Sequence, residues 1–398
     1  MVKQSAPDAA ALREQAARTV AAHAEDLLAL SHRISQHPEL GLQETQASRW
    51  LTDAAAQVPG ARATLGVGGL ETAFLAQAGT GELVLTVCAE YDALPEVGHG
   101  CGHNVIATAG LGAFLALAPL ADQLGATIRL IGTPAEENEG GKITLLDAGV
   151  FDGTHAALMV HPGPSDEVSM NPFASGGISA RFLGREAHAS LTPHRGINAL
   201  DALTVTLTAI GLARQQLEPG QQIHGSIAER GGAPNVIPGS SAAVWMVRAT
   251  SMESLDRVTE VVTRCIRAGA LAAGCTVEIE AERDGRYANM RIDADLTEAY
   301  RRNATALGRS PLAVGANGGS TDMGNVSQRF PSIHPMIGLG DAGLTLHTAD
   351  FAARAAGPAG DAAVLDGATL LAQTAIDLAT DRKIRSRLLS DTPFGELD

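Results

Sequence analysis

Three short, mostly apolar runs, 82–88 (ELVLTVC), 127–131 (TIRLI) and 156–160 (AALMV), each lead directly into residues able to bind a metal or move a proton. Runs of this length, rich in β-branched residues, read as strands covered on both faces. Helical patterns separate them, and strands alternating with helices imply a mostly parallel sheet. Such sheets gather their sites just past the C-terminal ends of the strands. The first run opens into EYDALPEVGHGCGHNVIATAG, residues 90–110, which crowds Asp92, His99, Cys101 and His103 among glycines. An apolar helix is expected to follow over 104–117, with Asn104 as its N-cap. The second run ends in Thr133-Pro134-Ala135-Glu136-Glu137 and the third in His161-Pro162. Independent core residues would have no reason to keep that register.

At 398 residues the chain is long for one domain. Residues from about 8 to 57 read as helices broken at Pro38. From about Ala174 the pattern becomes strand, helix, strand, strand, helix, strand, the last over 276–283, which is the order of a split βαβ sandwich. The expected fold class is α/β, a catalytic domain with a mostly parallel sheet assembled from 1–173 and 288–398. An inserted α+β ferredoxin-like lid or dimerisation domain occupies 174–287. The returning part is expected to hold a helix over 293–307, a glycine-rich loop over 315–319, a strand over 333–337 and a helix over 362–379. The last dozen residues read as a frayed tail.

A formal net charge of -15 argues against nucleic acid or an anionic membrane as partner. It also repels an anionic substrate at long range, so such a substrate needs a local arginine or a metal. Cys88, Cys101, Cys265 and Cys275 are scattered and no secretory signal is evident, which suits a reducing, cytoplasmic protein. Cys88 reads as a small buried hydrophobe. No apolar stretch reads as long and unbroken enough to span a bilayer; the nearest, 105–120, is interrupted by glycines and Pro119.

Thiolate and imidazole suit zinc and similar ions. Cys-x-His is only half a site, however, and a helix-capping glycine loop around an inert cysteine fits the same letters. Glu136 and Glu137 are adjacent and point apart, so one can bind a metal while the other acts as general base; the plain alternative is an exposed acidic loop. His161 and His347 are each weak signals alone. Together, Cys101, His103, Glu137, His161 and His347 would fill two adjacent metal centres if one ligand bridges them. Asp92 would then hold a ligand histidine in its tautomer. Paired ions stand ~3.5–4 Å apart and lower the pKa of water from about 15.7 to about 7.

The segments HPELGLQE, CAEYDALPEVGHGCGHN, TPAEENEGG, VHPGP, GREAHASLTPHRGINALDA, GGSTDMGNVS and LHTADF follow one another over nearly the whole chain. Together they resemble the dinuclear metallo-amidohydrolases, the aminoacylase and exopeptidase family. That family contains p-aminobenzoyl-glutamate hydrolase, indole-acetyl-amino-acid hydrolases and a mammalian dipeptidase branch. EYDALP with CGHN is more similar to the aminobenzoyl-glutamate and dipeptidase branch than to the aminoacylases, which carry aspartate where Asn104 stands. Glu90 stands where many relatives have another acid, and no role is read for it.

The resemblance implies two divalent metal ions, Zn or Mn, held by Cys101, His103, Glu137, His161 and His347, with the Cys101 thiolate as bridge and Glu136 as general base. It implies that His188 reaches a partner subunit's site and stabilises the oxyanion. It implies further that Asn235 binds substrate and that Arg248 clamps the substrate's free carboxylate. From the residues alone these three read as a solvated histidine turn, a turn asparagine and a surface arginine. The expected protein is a homodimeric hydrolase cleaving the amide bond of a small N-acyl amino acid, dipeptide or aminobenzoyl-glutamate-like compound. Two readings of other classes stand beside it: a catalytically silent metal-binding or sensing protein on the same scaffold, and a cysteine hydrolase using Cys101 with a histidine.

Overall fold

Two strands that the sequence reading did not anticipate, β1 (Arg62–Leu65) and β2 (Phe74–Ala78), precede the three expected ones, β3 (Leu83–Ala89), β4 (Ala126–Gly132) and β5 (Ala156–Leu158). The computed structural model describes residues 8–281, 286–315 and 318–390. It joins these strands with Ser332–Ile333 into one sheet ordered β1, β2, β4, β3, β5, then Ser332–Ile333. The last four run parallel to one another, while β1 and β2 are antiparallel additions at one edge. β1 is half-exposed along its length, which is why its residues carry no apolar signal.

β3 shows how the core is divided. Leu83, Leu85, Val87 and Ala89 enter one apolar cluster, and Cys88 enters a second with Ile131, Phe151, Ala157 and Met323. Both faces of the strand are therefore dry, as its unbroken apolar run requires. Three N-terminal helices, α1 (Ala9–Ala22), α2 (Ala24–Gln36) and α3 (Thr45–Ala56), cover the first cluster, the first of them capped by the Asp8 carboxylate.

The helix after the glycine loop, α4, spans His103–Leu117 and starts one residue earlier than expected. Its N-cap is Gly102 at φ 73, a left-handed conformation that side chains disfavour, so Asn104 is not the cap. Asn104 lies inside the first turn, where its amide donates to Ser31 Oγ at 2.9 Å and to the Ala355 carbonyl at 3.2 Å. Two helical stretches, His103–Leu124 (α4 with the short turns that continue it) and Pro358–Thr380, are long and apolar enough to cross a membrane, contrary to the sequence expectation. Their most apolar windows are 83% and 78% buried inside the protein, as core helices are.

The third run and the returning strand also differ from expectation. Each breaks before a His-Pro pair, and His161–Gly163 pairs in parallel with Met336–Gly338 as a separate ladder. The interruption falls at Met159 and Val160 in the first and at His334 and Pro335 in the second, where Pro335 has no amide hydrogen to donate to a ladder. The C-terminal helix Pro358–Thr380 is followed by another, Arg382–Leu388, where Arg387 forks onto the Asp293 carboxylate at 2.8 and 2.9 Å. This helix covers the start of the stretch expected to fray, and residues 391–398 lie outside the described residues.

Two units divide the chain: Met1–Asn171 with Met290–Ala316 and Thr321–Asp398, and Pro172–Asn289 with Asn317–Ser320. The second unit is an antiparallel sheet ordered Thr276–Ala281, Ala174–Leu183, Ser240–Ala249, Gln222–Glu229. Numbered along the chain this is 4-1-3-2, with helices Ala199–Ala213 and Met252–Ala273 closing its own core around Phe182, Trp245 and Ile266. Residues 282–283 of the expected last strand, and 316–317 of the glycine-rich loop, lie outside the described residues.

Phe114 is fully buried on α4, the helix that carries His103. Phe114→Ala is expected to lower stability by about 3–5 kcal/mol through the cavity it leaves. Urea unfolding should show this as an earlier midpoint with an unchanged slope.

Candidate metal centre

Because β3, β4 and β5 are parallel neighbours, the chain leaving each of them emerges at the same end of the sheet, past the strands' C-termini. There the donor atoms of Cys101, His103 and His161 lie within 4.8 Å of one another. The same holds for Cys101, Glu137 and His347, and for His103, Glu136 and Glu137. All five residues expected as ligands, and the expected base, are thus drawn together from across the chain. The His347 amide donates to the Gly100 carbonyl at 2.9 Å, which fixes this late residue beside Cys101. His347 itself holds φ 65, a strained conformation of the kind found at functional sites.

Asp92 organises the centre. One of its oxygens meets His103 Nδ1 at 2.9 Å, and the other accepts the Glu137 amide at 3.0 Å. His103 Nε2 is thereby turned toward Glu137 Oε1, at 3.8 Å. His161 Nδ1 is within 2.7 Å of the Pro162 carbonyl, which leaves its Nε2 lone pair for the site. Glu137 Oε2 lies 3.7 Å from His347 Nε2.

Buried polar atoms normally find partners. Here His103 Nε2 and Glu137 Oε1 are buried with no hydrogen-bond partner among the described residues. Two imidazoles, a thiol and a carboxylate converging with unsatisfied lone pairs fit a divalent ion of borderline softness. The electrostatics agree. Burial alone would lower His103, yet Asp92 and Glu90 raise it well above its usual value, so the pocket attracts positive charge. Burial brings His161 down to about 4, leaving a neutral ring ready to donate. Burial also pushes the Cys101 thiol up, so ionising it needs a cation close by.

Beneath these residues lies a cluster that the sequence reading missed. Lys142 has no exposed surface. Its ammonium donates to Glu90 Oε1 and to Asp322 Oδ1, the latter at 2.7 Å, and its backbone amide donates to Asp322 Oδ2 at 2.9 Å. Burial opposes the charged form of Glu90, but Lys142 and the nearby imidazoles hold its carboxyl low. Oxygens of Glu90, Glu136 and Asp322 lie within 4.8 Å of one another. Burial, then Glu90 and Asp322, raise Glu136 well above the usual carboxylate range. A fully buried lysine has no sequence signature. His334, fully buried with its ring 5.7 Å from that of His161, did have one, since Ile333-His334-Pro335 repeats the strand-end pattern of Val160-His161-Pro162.

The other expected residues lie in the second unit. His188 pairs with Val236 in a short ladder, and the Ala189 amide donates to the Asn235 carbonyl at 2.9 Å, so His188 and Asn235 share one exposed corner. His188 Nδ1 accepts the Ser190 and Leu191 amides, each at 3.3 Å, which places the proton of the neutral ring on Nε2. Arg248, half-buried, donates to Ser320 Oγ at 2.6 Å and has no carboxylate partner among the described residues.

The fold and this set of donors define a hydrolase of the metallopeptidase and amidohydrolase class. A family model for peptidase family M20/M25/M40 matches residues 86–376, and the chain belongs to that family. It is 38% identical over 391 residues to the Xaa-Arg dipeptidase of Mus musculus, covering 94% of this chain and 90% of that protein. It is 35% identical over 388 residues to the Xaa-Arg dipeptidase of Homo sapiens, covering 92% of this chain and 88% of that protein. A Bacillus subtilis crystal structure described as a dinuclear metal binding peptidase from M20 family superposes with a TM-score of 0.66 at 20% identity, covering 88% of this chain and 98% of that one.

Removing the Lys142 ammonium strands two buried carboxylates. Lys142→Met is expected to cost about 3–5 kcal/mol of stability, the usual penalty for deleting one partner of a buried ion cluster. Urea unfolding of the metal-free protein measures it.

Proposed function

We propose that the protein is a two-metal exo-acting dipeptidase that hydrolyses the amide bond of small dipeptides with a free C-terminal carboxylate. N-acyl amino acids and aminobenzoyl-glutamate-like compounds are weaker alternatives. The observation that carries this is the convergence of Cys101, His103, Glu137, His161 and His347, with Glu136 beside them. Likeness to a dipeptidase over almost the full length favours dipeptides within the class. A substrate with a basic side chain also suits a chain of formal net charge -15.

Cys101, His103, Glu137, His161 and His347 would hold two divalent ions, which would supply Lewis acidity at the carbonyl and bring the pKa of water to about 7. Glu136 takes a proton from the attacking water at its carboxylate as the C–O bond forms. It then delivers that proton to the nitrogen as the C–N bond breaks. Its raised proton affinity runs in the direction a general base requires. In a homodimer His188 would reach a partner subunit's centre, where its Nε2–H donates to the developing oxyanion. Arg248, a half-buried cation without a carboxylate partner among the described residues, pairs with the substrate carboxylate, and Asn235 hydrogen-bonds the substrate nearby. A buried thiol whose pKa is pushed up suits a metal ligand better than an unassisted cysteine nucleophile.

Glu136→Gln should lower kcat at least roughly 100-fold while bound metal, measured by atomic emission, stays at the wild-type level. Full activity in that variant would remove the base assignment.

A panel of dipeptides, N-acetyl amino acids and aminobenzoyl-glutamate, assayed with metal-replete enzyme, addresses the substrate. Dipeptides ending in arginine or lysine are expected to give the highest kcat/KM, and their C-terminal amides a raised KM. In Arg248→Met the acid and the amide should become equivalent; continued discrimination would sink the clamp.

A further inference from the structure

The HPELGLQE segment, residues 37–44, has no part in the chemistry above, yet it is wedged against both loops that carry the centre. The Glu39 carbonyl accepts the Ala93 amide at 2.8 Å, one residue past Asp92. Glu44 is fully buried, and its Oε1 accepts the Ala135 amide at 2.8 Å, one residue before Glu136. The two segments approach so closely that a β-carbon on Gly41 would lie 3.0 Å from that of Ala135.

Ala135 is the pivot of the turn that presents the two glutamates. It holds φ 59, a left-handed conformation unusual for alanine, and its carbonyl accepts the amides of Glu139 and Gly140 at 3.2 and 2.9 Å. Something outside the turn must hold that backbone in place. A carboxyl group is an unfavourable way to fill a dry space. Burial pushes Glu44 up to about 7, and its second oxygen has no hydrogen-bond partner among the described residues. An apolar side chain would fill the volume without that penalty but would not accept the amide hydrogen.

We propose that Glu44 is a positioning residue, whose Oε1 fixes the left-handed backbone at Ala135 and so aims Glu136 and Glu137 into the centre. The proposal rests on the roles assigned to that pair. It needs an acceptor oxygen at this point, not a negative charge. Without the acceptor the Ala135 amide is left unpaired, the turn relaxes, and both carboxylates shift together.

Steady-state kinetics and amide hydrogen exchange on the metal-loaded protein test this. Glu44→Gln keeps an acceptor and is expected to hold kcat within about threefold, with protection of the 135–141 amides unchanged. Glu44→Met has similar length and no such acceptor. It should fold with an undiminished melting temperature, lose roughly 10- to 100-fold in kcat with KM little changed, and lose protection over 135–141. If Glu44→Met does not fold, Glu44→Asp, which withdraws the acceptor by one methylene, carries the same kinetic and exchange expectations. Wild-type kcat and protection in the variant that lacks a reachable acceptor would overturn the proposal, as would a Gln variant slowed as much as it. Exchange is read without turnover, so an active Glu136→Gln would remove the base assignment while leaving the exchange test of the clamp intact.

Discussion

The centre depends on one buried carboxylate. Asp92 offers one oxygen to His103 Nδ1 and the other to the Glu137 amide, and so ties the loop after β3 to the loop after β4. Those loops can be tied because β3 and β4 are adjacent and parallel, with Ala89 opposite Gly132 at their C-terminal ends. Once Asp92 holds both, His103 can present only Nε2 and Glu137 must sit within reach of it. The sheet supplies the coarse convergence, and a pair of hydrogen bonds supplies the fine aim.

The same geometry concentrates negative charge. Glu90, Asp92, Glu136 and Asp322 are all buried within one region, and carboxylates so placed repel one another. Lys142 answers part of that repulsion permanently, from below, with its ammonium shared between Glu90 and Asp322. The remainder faces His103 and the thiol of Cys101 and raises the affinity of the pocket for cations. A divalent pair would therefore serve the fold as well as the chemistry, since it relieves the repulsion that assembling the site creates.

Much of this was legible in the letters. Continuous apolar runs such as LVLTVC can be stable only as strands covered on both faces, and the centre had to lie where they end. The ferredoxin-like order of the second unit followed from periodicity alone, and so did the boundaries of its helices to within a few residues. The cap of α4 was misplaced because Asn104 has the right chemistry for a cap, whereas the deciding factor was the left-handed backbone that only Gly102 takes easily. β1 carries no clear signal because an edge strand half-open to solvent leaves little apolar pattern, and β2, though buried or half-buried throughout, is only five residues long.

The buried ion cluster shows where reading stops. Lys142 follows two glycines in the first turn of a short helix, Gly141–Asp147, a context in which lysine is ordinarily solvated. Only when Asp322, distant in sequence, folds against it does its burial become tolerable. Glu44 is the same case in reverse, a surface-type residue made structural by a contact 91 positions away. The sequence by itself determined the order of the buried strands, the residue types at each strand end and therefore the class of chemistry, because these follow from local periodicity and ligand preference. The tertiary structure alone decided which charges are buried together and which oxygen holds which amide, because the energy of a buried polar group is set by neighbours that the chain brings from far away.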